Sequence, residues 1–416
     1  MKVYVEVYGC TANKGDASLI KGVIKESDHE LVESLDDADA LIILTCTVID
    51  TTEQRMLSRL EKLKDSGKKI VVAGCMASVQ SDKIKTIVPD AGLLPPQYPH
   101  HIVDILEDKK ISFIEKNKTA FPKYFDEIFA PISISEGCMF SCSYCITSIA
   151  RGKLKSYPIS EINRDVCIAV ENGCKEIQLT SQDTSSYGID LNTDLGNLLR
   201  EISIIKDDFK IRVGMMNPYT CLKNIDSIID GFDDQKIYKF LHLPVQSGDN
   251  KVLEKMNRKY SVNDFIDIID NFRKKYPDIT ISTDIIVGFP SESDEQFQHT
   301  IDLLEAVKPD ITNITRFSAR PYTKAKELKE RIKTEIVKQR SRKLTKICEN
   351  ISREKNQKLI GSKYKILITE KGKNKTYVGR NENYKPIVIE NKVKIGEFIQ
   401  IEVSRAESTY IVGSII

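Results

Sequence analysis

Six of the chain's ten cysteines fall into two sets whose placement suits iron–sulfur chemistry. Cys138, Cys142 and Cys145 lie in the segment SEGCMFSCSYCITSIARGK, in a C-x3-C-x2-C pattern. Thiolates are the usual ligands of iron–sulfur clusters. Three of them on a four-iron cubane leave one iron without a protein ligand, free to chelate the amino and carboxylate groups of a methionine moiety. A structural zinc site would call for four ligands, and no His or further Cys stands near. The second set is dispersed: Cys10 follows VYVEVYG, Cys46 follows LIILT and Cys75 follows KIVVAG. If those apolar runs are parallel strands of one open sheet, their carboxyl ends face a single crevice where ligands gather. Three cysteines far apart in sequence would then meet at one metal centre; ordinary burial of each thiol is the plainer alternative. Cys167, Cys174, Cys221 and Cys348 have no matching spacing and read as packing residues.

The elements that must position these thiols repeat a strand–helix rhythm. Residues 2–8, 41–45 and 69–73 are β-branched-rich runs typical of buried parallel strands, with helical patterns at 18–26 and 52–64 between them. That alternation predicts a small doubly wound α/β domain over residues 1–110, closed by the Pro-rich stretch LLPPQYPHH and a charged segment. A second alternating run has candidate strands at 132–135, 176–181, 210–215, 239–245, 280–287 and 311–317. Six β–α units without a clear seventh suggest a partial (β/α)6 barrel within residues 125–355, whose open side would admit one nucleotide of a macromolecule. The Cys138 triplet directly follows the first of these strands. Gln182 and Gln246 fall at or just after strand C-termini, the face on which barrels build their sites. His242, inside a predicted strand, reads as a wall residue rather than a metal ligand.

Residues 324–358 read as one long basic helix. Over 356–416 the pattern changes to short β runs at 365–369, 375–379, 386–389, 398–403 and 410–415, the texture of a small β-barrel. From Lys324 onward the chain carries 23 Lys and Arg against 11 Asp and Glu, although its overall net charge is only +2. A basic tail on an acidic body points to a polyanionic partner, with a solvated helix face as the alternative. Tyr377, Tyr384 and Tyr410 are equally suited to stacking on bases or to filling a small core. No apolar run approaches the roughly 20 residues that span a bilayer. The N-terminus lacks a secretory signal, so a cytoplasmic enzyme without membrane attachment is expected.

The triplet resembles the motif of the radical S-adenosylmethionine (SAM) superfamily, and Tyr144 fits its usual aromatic residue before the last cysteine. YGCTANKGD, LTCTVID and VAGCMA ahead of that triplet resemble the radical SAM methylthiotransferase family. LTSQDTSSYG, RVGMMNP, LPVQSGDNKVLEKMNRKY, TDIIVGFPSESDEQF and RFSARPYTKA extend the likeness in order, most closely to the archaeal and eukaryotic subgroup. That subgroup modifies N6-threonylcarbamoyladenosine (t6A), just 3′ of the tRNA anticodon.

The resemblance implies a tRNA methylthiotransferase with a C-terminal TRAM domain that binds RNA. It implies two 4Fe–4S clusters, an auxiliary one on Cys10, Cys46 and Cys75 and a SAM-binding one on Cys138, Cys142 and Cys145. Tyr144, Gln182 and Gln246 would line the SAM pocket. One SAM would methylate a sulfur at the auxiliary cluster. A second, cleaved to a 5′-deoxyadenosyl radical, would activate C2 of the adenine to accept the methylthio group. The anticodon loop, an electron donor and a sulfur donor would be the partners. Methylthiolation of another modified adenosine or of a ribosomal protein side chain stays open from sequence, as does a non-catalytic zinc and RNA-binding protein.

Overall fold

The computed structural model of the protein describes residues 1–125 and 128–416. The expected central unit takes in residues 126–127, which lie outside the described residues. At the N-terminus, strands β1 (Lys2–Val7), β2 (Glu30–Leu31), β3 (Ala40–Thr45), β4 (Lys69–Gly74) and β5 (Gly92–Leu94) form one sheet in the order β2-β1-β3-β4-β5. Every neighbouring pair is parallel. β3 is buried along its whole length, as its unbroken ALIILT run requires of a strand covered on both faces. Helix α1 (Thr11–Lys25) packs Ala17, Ile20 and Ile24 on one side of the sheet, and α2 (Asp50–Leu63) packs Met56 and Leu60 on the other. The alternation read from the sequence is therefore a doubly wound sheet.

The central strands are β6 (Phe129–Ser133), β9 (Glu176–Thr180), β10 (Lys210–Val213), β11 (Phe240–His242), β12 (Thr280–Val287) and β13 (Ile311–Arg316). A short antiparallel pair, β7 (Ser135–Glu136) with β8 (Lys155–Ser156), brackets the cysteine triplet. Two parallel sheets, β10-β9-β6 and β11-β12-β13, are joined by a single bridge from Ile211 to Ile237 and by the Tyr238 N–H donating to Ile211 O at 2.9 Å. Six strands thus follow one another in chain order round an open arc, the partial barrel expected. β10 and β11 are shorter than their apolar runs. Gly214 and Pro244 follow them, and the Met216 N–H bonds His242 O instead of extending the ladder.

The basic segment is not one helix. A turn at Lys324–Glu327 is followed by extended backbone, and the long helix is Thr334–Gln357. Tertiary contacts override propensity between them: the Ser291 N–H bonds Glu330 O at 2.8 Å and Ile332 packs on the central core.

Beyond this helix, β14 (Lys363–Lys371), β15 (Tyr377–Arg380), β16 (Pro386–Ile389), β17 (Phe398–Ala406) and β18 (Ile411–Ile415) close a barrel in the order β14-β15-β16-β18-β17. Its core is aliphatic, and Tyr377 packs against it. Tyr384 does something neither sequence reading offered. Its hydroxyl donates to Glu176 Oε1 at 3.0 Å and its ring lies 5.1 Å from that of Phe240, so the loop before β16 plugs the N-terminal end of the central strands.

Candidate metal centres and the seam between them

Register brings the dispersed cysteines together. Val7 pairs with Leu44, and Leu44 with Ala73. Cys46 and Cys75 directly follow the paired Thr45 and Gly74 at the ends of β3 and β4, and Cys10 comes three residues after Val7 at the end of β1. The crowding is visible at two glycines. A Cβ on Gly9 would meet the Cys46 Cβ at 2.9 Å, and one on Gly74 would meet Thr45 O at 2.7 Å. Both have φ near +90°, which only glycine adopts without strain. Asn13 holds the arrangement, its Nδ2 donating to Tyr8 O at 2.8 Å and Thr45 O at 2.9 Å.

Burial pushes the Cys75 thiol up to about 11, the charges of Cys10 and Cys46 add to this, and the positive charge of the Arg151 guanidinium opposes the shift. Cys46 is raised by burial too, with Cys10 adding to it. The three thiols therefore sense one another's charge.

The compact triplet occupies the loop between β7 and the helix Thr147–Arg151. Its backbone is braced from outside. The Cys138 N–H donates to Gly152 O at 3.0 Å, the Ser143 N–H to Met256 O at 3.0 Å, and the Ala325 N–H to Ser143 O at 2.7 Å. Arg258 Nη1 lies 3.2 Å from Cys142 Sγ, while its Nε donates to the Tyr260 hydroxyl at 2.8 Å. Burial pushes Cys138 up to about 12, with Asp183, Cys145 and Cys142 adding to it. Cys145 is raised by burial and by Cys142.

Among the described residues no group of three His, Cys, Asp or Glu side chains is drawn together tightly enough to hold one metal ion. A cubane poses a different requirement, because each thiolate takes its own iron and the three ligands sit around the cluster rather than on one ion. Each set offers only soft thiolate donors, which suit iron–sulfur clusters. Each also has an unpaired buried polar atom close by in the chain or in space. Gln182 Oε1 next to Asp183 has no hydrogen-bond partner, nor has Arg320 Nε, whose guanidinium senses the Cys46 charge. The residues present fit two clusters.

The three residues expected to line a SAM pocket sit in different settings. Tyr144 packs against Val252, Met256, Phe289 and Ala325. Gln182 lies in the loop after β9. Gln246 has φ of 73° and is pinned by its N–H to Asp284 O at 2.8 Å and its O from the Ile286 N–H at 3.0 Å. His242 is a wall residue, Nε2 lying 3.0 Å from Asp284 Oδ1. Cys174, Cys221 and Cys348 belong to the central core.

Sequence reading missed the residues that join the two centres. Cys75 and Val79 pack against Ile146 and Ala150. Arg151 donates from Nη1 to Glu136 Oε1 at 2.7 Å and from Nη2 to Asp16 Oδ2 at 2.8 Å and Asn13 Oδ1 at 2.9 Å, and Lys118 bridges the same two carboxylates. On the other side Arg320 pairs with Glu53 and reaches Thr47 Oγ1 at 3.2 Å, next to Cys46. Two arginines of the central unit thus grip the helices that flank the N-terminal sheet, beside its cysteines. The first follows the triplet in ARG and the second lies in SARP, but nothing in those strings reveals a partner more than a hundred residues away.

An open six-strand arc with a cysteine triplet after its first strand, a doubly wound sheet before it and a closed β-barrel after it defines a radical SAM enzyme with two added domains. Residues 132–304 match the Radical SAM superfamily, residues 2–94 the family described as Uncharacterized protein family UPF0004, and residues 357–416 the TRAM domain. The chain is 42% identical over 427 residues to the probable threonylcarbamoyladenosine tRNA methylthiotransferase of Pyrococcus horikoshii, covering 100% of both. The human threonylcarbamoyladenosine tRNA methylthiotransferase is 31% identical over 432 residues, 99% of this chain and 73% of that protein. The chain belongs to the family of threonylcarbamoyladenosine tRNA methylthiotransferases. Among solved structures, the radical SAM methyltransferase TsrM of Kitasatospora setae superposes with a TM-score of 0.57 at 13% identity, over 78% of this chain and 74% of that one, a likeness of fold alone.

Proposed function

We propose that the chain inserts a methylthio group at C2 of t6A beside the tRNA anticodon, as a SAM-dependent radical enzyme carrying two 4Fe–4S clusters. One observation carries the reading: Cys46 and Cys75 directly follow the paired strand ends Thr45 and Gly74, Cys10 lies three residues past the end of β1, and Cys75 shares an apolar cluster with Ile146, the residue after Cys145. Cys10, Cys46 and Cys75 are the ligands of the auxiliary cluster, and Cys138, Cys142 and Cys145 those of the SAM-binding one. The SAM-binding cluster would supply the electron that cleaves SAM to methionine and a 5′-deoxyadenosyl radical, and the auxiliary one would present the sulfur that is transferred. The chain's own residues position and shelter them. Arg258 orients Cys142, the Arg151 charge favours the Cys75 thiolate, and Tyr144 with Met256 and Phe289 backs the triplet with a dry wall. Gln182 and Gln246 bind polar groups of SAM, and the unpaired Gln182 Oε1 supports that role.

The work divides among an auxiliary-cluster unit (1–110), a SAM barrel with its basic helix (125–355) and an RNA-binding barrel (356–416). The anticodon loop is the macromolecular partner, served by separate electron and sulfur donors. No helix among the described residues is long and apolar enough to cross a membrane, in keeping with a cytoplasmic setting. The basic tail and the tRNA-modifying relatives weigh against a ribosomal protein substrate, and the three-thiol sets against structural zinc. The test is nucleoside analysis of t6A-containing tRNA incubated with reconstituted enzyme, SAM, a reductant and sulfide. Conversion of t6A to its 2-methylthio form is expected, and unchanged t6A alongside intact SAM cleavage would refute the substrate.

A further inference from the structure

Two tyrosines of the chain sit at positive φ, Tyr322 at 63° and Tyr384 at 60°. Left-handed backbone is costly for a bulky side chain and persists where surrounding contacts or a function require it. For Tyr384 the compensation is visible in its bond to Glu176 and its tilted ring contact with Phe240. Tyr322 has none. Its side chain is 69% exposed, and neither its ring nor its hydroxyl meets a partner among the described residues.

Its setting gives that exposure a purpose. Thr323 Oγ1 donates to Arg320 O at 2.7 Å and closes a turn with Tyr322 at its corner. Two residues before it, Arg320 reaches Thr47 beside Cys46; three residues after it, the Ala325 N–H bonds Ser143 between Cys142 and Cys145. Since a residue spans at most about 3.6 Å of chain, the Tyr322 backbone is held within a few residues' reach of both cysteine sets, and its exposed side chain is free there. Lys324 and Lys326 are exposed just beyond it. An aromatic face flanked by cations is how proteins hold an unstacked nucleobase on its backbone.

We propose that Tyr322 is a base-stacking residue, on whose ring the target adenine, turned out of the anticodon loop, rests between the two centres. The inference rests on the tRNA reading above and adds the residue that positions the base.

The test is equilibrium binding of the cluster-loaded protein to an end-labelled anticodon stem–loop containing t6A, and to the same RNA abasic at that position. Tyr322→Phe keeps the aromatic face and should bind within about twofold of the parent, while Tyr322→Ala should bind t6A RNA about tenfold more weakly. No cation is removed, so the slope of log affinity against log salt should not change. On abasic RNA the parent and Tyr322→Ala should bind alike. Tyr322→Gly controls for folding: it relieves the positive φ and should be at least as heat-stable as the parent, yet lose affinity like the alanine variant. Parent-like affinity in Tyr322→Ala, or a loss that persists on abasic RNA, overturns the proposal while leaving the tRNA reading intact. A parent protein that binds t6A RNA no better than abasic RNA overturns both.

Discussion

Cys75 packs directly against Ile146, the residue that follows Cys145, so the two cysteine sets share one apolar wall. On the function proposed above, this contact would fix the distance between the radical-generating centre and the sulfur-delivering one, and mobility there would let the radical decay before it is used.

Removing one thiol from each set should separate their tasks. Cys75→Ala is expected to lose half the iron and all methylthio transfer while still cleaving SAM to 5′-deoxyadenosine under reducing conditions. Cys142→Ala should lose SAM cleavage itself. Iron content with chromatographic assay of 5′-deoxyadenosine and modified nucleoside checks both. Equal loss of the two activities in a folded Cys75→Ala protein would contradict the division.

Ile146→Ala tests the shared wall without touching a ligand. Ile146 is 1% exposed, so truncation leaves a cavity and should cost about 2–5 kcal/mol in denaturant unfolding. The more telling outcome is a raised ratio of 5′-deoxyadenosine formed to methylthio group inserted, because the two centres lose their fixed spacing. A stability loss with that ratio unchanged would reduce the contact to ordinary packing.

How far all this could be read from the chain depends on the range of the interactions. The triplet is local, and the strand-end cysteines follow from apolar runs whose parallel pairing places their ends together, so both sets were legible. Arg151, Arg320 and Tyr384 were not. Each acts across more than a hundred residues on a partner that no periodicity marks, Asp16, Glu53 and Glu176 respectively. The basic helix was legible in composition but not in its start, because the residues before Thr334 are held extended by Ser291 and the central core rather than by their own propensity.

The Arg151 network predicts a large cost for a single uncharged replacement. Arg151→Met would leave Asp16 and Glu136 sharing Lys118 alone, all of them buried. Breaking such a buried set by removing one partner costs about 3–5 kcal/mol. Unfolding measurements should show this, together with iron loss selective for the auxiliary centre, since the Arg151 charge also acts on Cys75. Iron lost equally from both centres would mean that the network supports the fold without favouring either.

Asp310 gives a pH-dependent counterpart at the other end of the molecule. Its carboxylate accepts Lys355 Nζ from the long helix and Lys385 Nζ from the C-terminal barrel, each at 2.6 Å. Burial raises its pKa, but the two ammonium groups outweigh burial and hold it below the ordinary carboxylate value. A depressed folded-state pKa contributes stability that is complete above the unfolded value of about 3.9 and is lost as pH falls through the folded one. Asp310→Asn should therefore destabilise the protein by about 3 kcal/mol near pH 7, where the two lysines lose their shared anion. The gap between parent and variant should hold down to about pH 5 and close below pH 4. Urea titrations across that range measure it directly, and a gap that stayed constant down to pH 3 would show that the carboxylate's charge contributes nothing to holding the β-barrel against the body.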